Sequence, residues 1–129
     1  MIVDITSEII TDLMTEMPTM NIRNAFPNDV PKFPLVVVQE ISNTADTISK
    51  DTSGFHYSSV SIQIDIFTNS DYRETEAKTI RDIIDGVLSD EYGLERDFSG
   101  NTPNEDTNVY RYTMRFSGLV NNNRVIYGR

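Results

Sequence analysis

The residues able to do chemistry in this chain are few and poorly spaced for it. The single histidine, His56, lies between Phe55 and Tyr57 in a polar stretch. A histidine working as general base needs a nucleophile in reach and a third group to orient its ring, and its neighbours in sequence supply neither. A histidine packed in a loop is the plainer reading. There is no cysteine, which removes a thiolate zinc site, a disulfide framework and a cysteine nucleophile. No alternating Asp/Asn run suits calcium. Asp82 and Asp85 make a carboxylate pair, but they fall opposite the Ile80/Ile84 stripe of a predicted helix. Both are therefore expected in water, within i,i+4 reach of Lys78 and Arg81. Glycines 54, 86, 93, 100, 118 and 128 form neither GxGxxG nor a P-loop. The chain reads as a non-enzyme, with no catalytic residue, cofactor or metal site.

What the sequence does specify is a framework, centred on residues 57–89. Val60, Ile62, Ile64 and Ile66 alternate with Ser59, Ser61, Gln63 and Asp65, so Tyr57–Phe67 is predicted as a strand with one apolar and one polar face. Asn69-Ser70-Asp71 breaks the alternation, and Asp71 with Glu74 has capping-box spacing. Beyond it Ala77, Ile80, Ile83, Ile84, Val87 and Leu88 form one helical stripe running to Ser89, with Gly93 placed to cap its end.

The flanking segments supply the rest. Asp4–Met17 reads as a helix with Ile5, Ile9, Ile10, Leu13, Met14 and Met17 on one face, ended by Pro18. Residues 19–34 hold Pro27, Pro31 and Pro34 and are expected to be extended or turning, anchored by Phe26 and Phe33. Leu35–Ile41 is a strand joined across a polar loop, 43–56, to Tyr57–Phe67 as a long antiparallel hairpin. Leu94–Phe98 is a short strand and residues 99–107 a turn region. In Val109–Val120, Tyr110, Tyr112, Met114 and Phe116 face one way, with Arg111, Thr113, Arg115 and Ser117 facing the other. Residues 124–129 offer a last strand, to pair within the domain or with a neighbour. The expected fold is α+β: one domain over 1–129, an antiparallel sheet of about four strands with two helices on one face.

Twenty acidic against eleven basic residues give a net charge of -9. Such a surface repels nucleic-acid phosphates rather than neutralising them, which argues against DNA or RNA binding, while an acidic lining suits a passage that DNA slides through. A hydrophobic content of 38% is low for a compact domain and leaves much of the chain to loops and surface. No apolar run approaches the ~20 residues of a membrane span, and Met1-Ile2-Val3-Asp4 lacks the basic start of a signal peptide. The expectation is a protein made in the cytoplasm, with no membrane partner.

The most informative polar array is Ser59, Ser61, Gln63 and Asp65 on one strand, with Arg111, Thr113 and Arg115 on another. If both line the sheet face away from the helices, Asp65 is placed for a cross-strand ion pair with an arginine. Such a face is either an ordinary wet surface or an interface between subunits.

The order of elements, with "FPLVVVQEIS", "VSIQIDIFTNSDYRETEAKTIRDIIDGVLSD", "YGLERDFSG" and "NVYRYTMRFSGLV", resembles the tail terminator (tail completion, minor neck) proteins of long-tailed bacteriophages. The resemblance runs from about Asp4 to Tyr127. It implies a virion component, made in a bacterial host, whose subunits form a hexameric ring. In that family the ring caps the finished tail tube, ends its polymerisation and offers a docking surface to the head connector, with DNA passing through without sequence-specific binding. The implied partners are the chain itself, tail tube protein and a head connector or head-closure protein. Candidate subunit or tube contacts are Ser59, Ser61, Gln63, Asp65, Arg111 and Arg115 on the polar face, with Lys50, Asp51 and His56 in the polar loop and Arg124 near the end. The alternatives are another neck component, such as a head-closure or head–tail joining protein, and a bacterial ligand-binding α+β domain.

Overall fold

The computed structural model describes residues 5–27, 31–46, 57–103, 106, 108–121 and 126–127. In chain order these form α1 (Thr6–Glu16), β1 (Asn21–Arg23), β2 (Leu35–Asp46), β3 (Tyr57–Thr68), α2 (Arg73–Asp85), a π-helical extension (Gly86–Glu91), β4 (Glu95–Thr102), β5 (Tyr110–Asn121) and β6 (Ile126–Tyr127). The strands make one sheet in the order β1-β2-β3-β5-β4, with β6 also paired to β5. β3 is matched along its whole length to β5, from Tyr57↔Asn121 to Thr68↔Tyr110. β6 pairs within the domain, through Leu119↔Tyr127 and Val120↔Ile126.

Both helices cover one face, and the alternation of the central strands shows why. Val60, Ile62, Ile64 and Ile66 of β3 meet Met114 and Phe116 of β5 and Val36 and Val38 of β2. Over them lie Ile9 and Leu13 of α1, Ala77, Ile80 and Ile84 of α2, and Val87 and Leu88 of the extension. Burying each such aliphatic side chain is worth about 1.5–3 kcal/mol before conformational entropy is charged. Gly93, at φ 70°, turns the chain out of the extension, and the Leu94 N–H donates to Leu88 O at 2.9 Å across the turn. Only glycine adopts that backbone without strain.

The sheet departs from the expected four antiparallel strands. It is mixed, because β1 runs parallel to β2 with Asn21↔Leu35 and Arg23↔Val37 in register. A strand of three residues shows no alternation, and the prolines after it mask its pairing. β2 continues five residues past Ile41 because its register shifts between Glu40 and Ser42; such a bulge resets the side-chain phase. Ile41, at the shift, stands exposed. β4 extends to Thr102 through Gly100-Asn101, which reads as a turn in sequence; six of its eight positions are exposed, so no apolar pattern marks it.

The helix ends also differ. The Asp71/Glu74 capping box does not form: α2 starts at Arg73 behind Tyr72, with no side-chain cap. Beyond Asp85 the helix widens, and the Tyr92 N–H donates to Val87 O at 3.1 Å. Ile83 and Met14, counted in the apolar stripes, are exposed. Lys78 pairs with Glu74 rather than Asp82, Arg81 with its neighbour Asp82, and Asp85 with Arg96 of β4 at 3.0 Å.

Candidate functional site

The face of the sheet turned away from the helices carries the polar array, and the strand register assembles it. Asp65 stands opposite Thr113, Gln63 opposite Arg115, and Ser61 opposite Ser117. After the bulge, Ser42 and Thr44 of β2 join Ser61 and Ser59. The Asp65 side chain is fully buried. Its Oδ1 accepts from Arg111 Nε at 3.0 Å and from Thr113 Oγ1 at 2.6 Å. Its Oδ2 accepts from Gln63 Nε2 at 3.0 Å. The network continues outward: Thr102 Oγ1 donates to Thr113 Oγ1 at 2.6 Å, and Arg115 Nε donates to Gln63 Oε1 at 3.1 Å. A buried carboxylate is tolerable only when its charge is matched and its lone pairs are filled, and this one meets both conditions.

Two unlike regions flank the network. At the β1 end, Leu35, Val37 and Phe67 form a small apolar cluster with Phe33 and Val109. Phe26 meets Phe67 edge-on, with ring centres 5.8 Å apart, and the Arg111 guanidinium lies over both rings, at 5.8 and 5.4 Å. Phe26 and Phe33 thus anchor the proline segment as expected, but on the opposite side of the sheet from the helices. At the other end stand the hydroxyls of Ser42, Thr44, Ser59, Ser61 and Ser117, partly or fully exposed.

Charge is divided between the two sides. The helices and the extension carry Glu8, Asp12, Glu16, Glu74, Glu76, Asp82, Asp85, Asp90 and Glu91 against Arg73, Lys78 and Arg81. In the centre of the open face Asp65 is matched by Arg111, and Arg115 adds a positive charge. Among the described residues, the helices and the extension are thus more acidic than the centre of the open face. On the helix side of β5, burial pushes the Tyr112 phenol up. Its hydrogen bonds with Ser99 Oγ and Arg81 Nη1 outweigh this and hold it below its usual value.

Of the residues singled out in sequence, Ser59, Ser61, Gln63, Asp65, Arg111 and Arg115 share this face. Gln63, Asp65, Arg111 and Arg115 belong to one bonded network, with Ser59 and Ser61 beyond it. Lys50, Asp51, His56 and Arg124 lie outside the described residues. Sequence reasoning missed Thr102, Ser42 and Thr44. The first sits in a strand without apolar signal, and the other two lie beyond a bulge that no residue type announces.

No protein-family model matches the chain, and no curated protein matches it. Among solved structures, a chain of the virion of the native gene transfer agent particle is similar in fold. It aligns over 90% of this chain and 91% of its own, with a TM-score of 0.59 and 16% identity.

Proposed function

We propose that this chain is a structural subunit of a phage-type virion and acts there as a tail terminator. In this reading, copies close into a ring that caps the completed tail tube. It ends polymerisation and receives the head connector. The observation that carries the reading is the end-to-end sharing of a fold with a gene transfer agent virion chain. The element order that resembles tail terminators narrows it. The open face supports it physically: Asp65, Arg111 and Gln63 hold the centre of the sheet in one register, while Ser59 and Ser61 remain available to a neighbour or to the tube. The task is assembly rather than catalysis, and DNA passes through without being read.

Light scattering on the purified chain, alone and with tail tube protein, tests this. A ring in solution, or a monomer converted to a ring on the tube, is the expected result. A monomer indifferent to tube protein overturns the terminator role, and binding to a portal or adaptor instead would move the subunit to the head side of the neck.

A further inference from the structure

The sheet ends in two unlike strands, and among the described residues neither β1 nor β4 has a strand on its outer side. A free edge is a row of unpaired N–H and C=O groups, ready to accept another strand. The first part of β4 is guarded against this by Glu95, Arg96 and Asp97 and by a register shift between Arg96 and Phe98. From Phe98 to Thr102 it has neither charge nor shift. Two of the helix-side groups of β4 are engaged within the chain, Arg96 with Asp85 and Ser99 with Tyr112 at 2.7 Å. On the open side stands Phe98, 44% exposed, its ring lying so close over Gly100 that a Cβ there would meet it at 3.3 Å.

The β1 edge presents matching features. Phe26 is 45% exposed. Arg23, opposite Val37 and so on the open side, bonds to Asn21 Oδ1 at 3.1 Å and meets no carboxylate among the described residues. Between α1 and β1 runs a groove of about 1090 Å³ lined in part by Ile10, Met14 and Ile22.

We infer that these edges are the two halves of one contact between copies of this chain: β4 of one copy, over Phe98–Thr102, adds as a strand beside β1 of the next. Keeping the helices of both copies on one side forces their open sides to coincide. That places Phe98 by Phe26 and brings Glu95, opposite Ser117 on the open side, toward Arg23, which meets no carboxylate of its own copy among the described residues. Backbone pairing supplies the attraction and the side chains the register. Because the edges differ and lie at opposite ends of one sheet, the contact is head-to-tail, and repeating it closes a ring where the rotation per subunit divides a full turn. The inference rests on the ring reading above and says which surfaces make the ring.

The chain has no cysteine, so Phe26→Cys and Phe98→Cys report cleanly. With a short bismaleimide, the double variant is expected to give a ladder of linked species ending at the ring, and each single variant to stay unlinked. A ring by light scattering without the ladder overturns the edge contact and leaves the ring reading standing. A ladder that grows into open filaments keeps the contact and overturns the ring. A monomer at every concentration overturns both, and a dimer linked through Phe98→Cys alone overturns the contact as an isologous one. Arg23→Glu or Glu95→Arg alone should weaken association roughly fivefold, the double reversal restoring it; no loss on either overturns the proposed alignment.

Discussion

β3 carries two different solutions on its two faces. At its even positions Val60, Ile62, Ile64 and Ile66 are sealed beneath the helices, held by burial that has no direction and tolerates any residue of similar shape. At its odd positions the strand runs from Ser59 and Ser61, through Gln63 and buried Asp65, to Phe67. There the stabilisation is directional, and a slip of one residue would turn Asp65 into the apolar layer without Arg111 or Thr113. The covered face makes the domain stable; the open face makes its register unique and leaves hydroxyls uncommitted. The two faces should answer mutation differently.

The largest loss is expected on the covered face. Ile64→Ala should lower stability by about 2–5 kcal/mol, read as a lower urea midpoint at unchanged slope. Asp65→Asn comes next, at about 1–3 kcal/mol, because an uncharged amide pairs poorly with Arg111 and presents donors where Thr113 and Gln63 also donate. Arg111→Met should cost at least as much, because it leaves the wholly buried Asp65 carboxylate without its matching charge, whereas Asp65→Asn removes the charge and leaves Arg111, 25% exposed, within reach of water. If Asp65→Asn costs clearly more, the bonds of Asp65 with Thr113 and Gln63 outweigh the ion pair.

The same contrast explains what the sequence made legible. Strict alternation in β3 and β5 announced both strands, the apolar side of each and the array of Ser59, Ser61, Gln63, Asp65, Arg111, Thr113 and Arg115, because period two is a property of residue order alone. The Asp65–Arg111 tie was legible as a kind of pair but not as a register, which depends on Phe67↔Arg111 and Asp65↔Thr113 standing opposite each other. β1 was invisible because three residues carry no period, and its pairing depends on where residues 24–34 return the chain. The outer half of β4 was hidden for a related reason: an exposed edge strand needs no apolar residue, so Gly100-Asn101 looks like a turn. Asp85 reached across to Arg96, a long-range choice that helical spacing could not reveal.

A smaller effect lies at the rim of the covered face, where the Tyr92 hydroxyl donates to Asp12 Oδ2 and ties the π-helical extension to α1. Burial, then this hydrogen bond, pushes the Tyr92 phenol above its ordinary value of 10.0. The folded chain therefore holds the proton more tightly than the unfolded one. The resulting stability is fully present below pH 10 and is lost as pH rises through the folded value. Tyr92→Phe should cost about 1 kcal/mol at neutral pH and flatten the decline above pH 10 in an alkaline unfolding series. An unchanged decline would assign it to other groups.

The smallest effect on stability should be the most telling for function. Ser59 is exposed and Ser61 partly so, and none of the hydrogen bonds around Asp65 involves them. Ser59→Glu and Ser61→Glu together should leave stability within about 0.5 kcal/mol. If the open face meets a neighbouring subunit or the tube, two carboxylates there must be desolvated without a partner, and association should weaken by far more than the fold does. Thermal melts and light scattering on the same sample separate the two outcomes. An intact melt with lost assembly would make the hydroxyl end of β3 a contact surface. An intact melt with intact assembly would leave it a wet face and throw the whole of assembly onto the edges of the sheet, where Phe98 and Phe26 stand exposed.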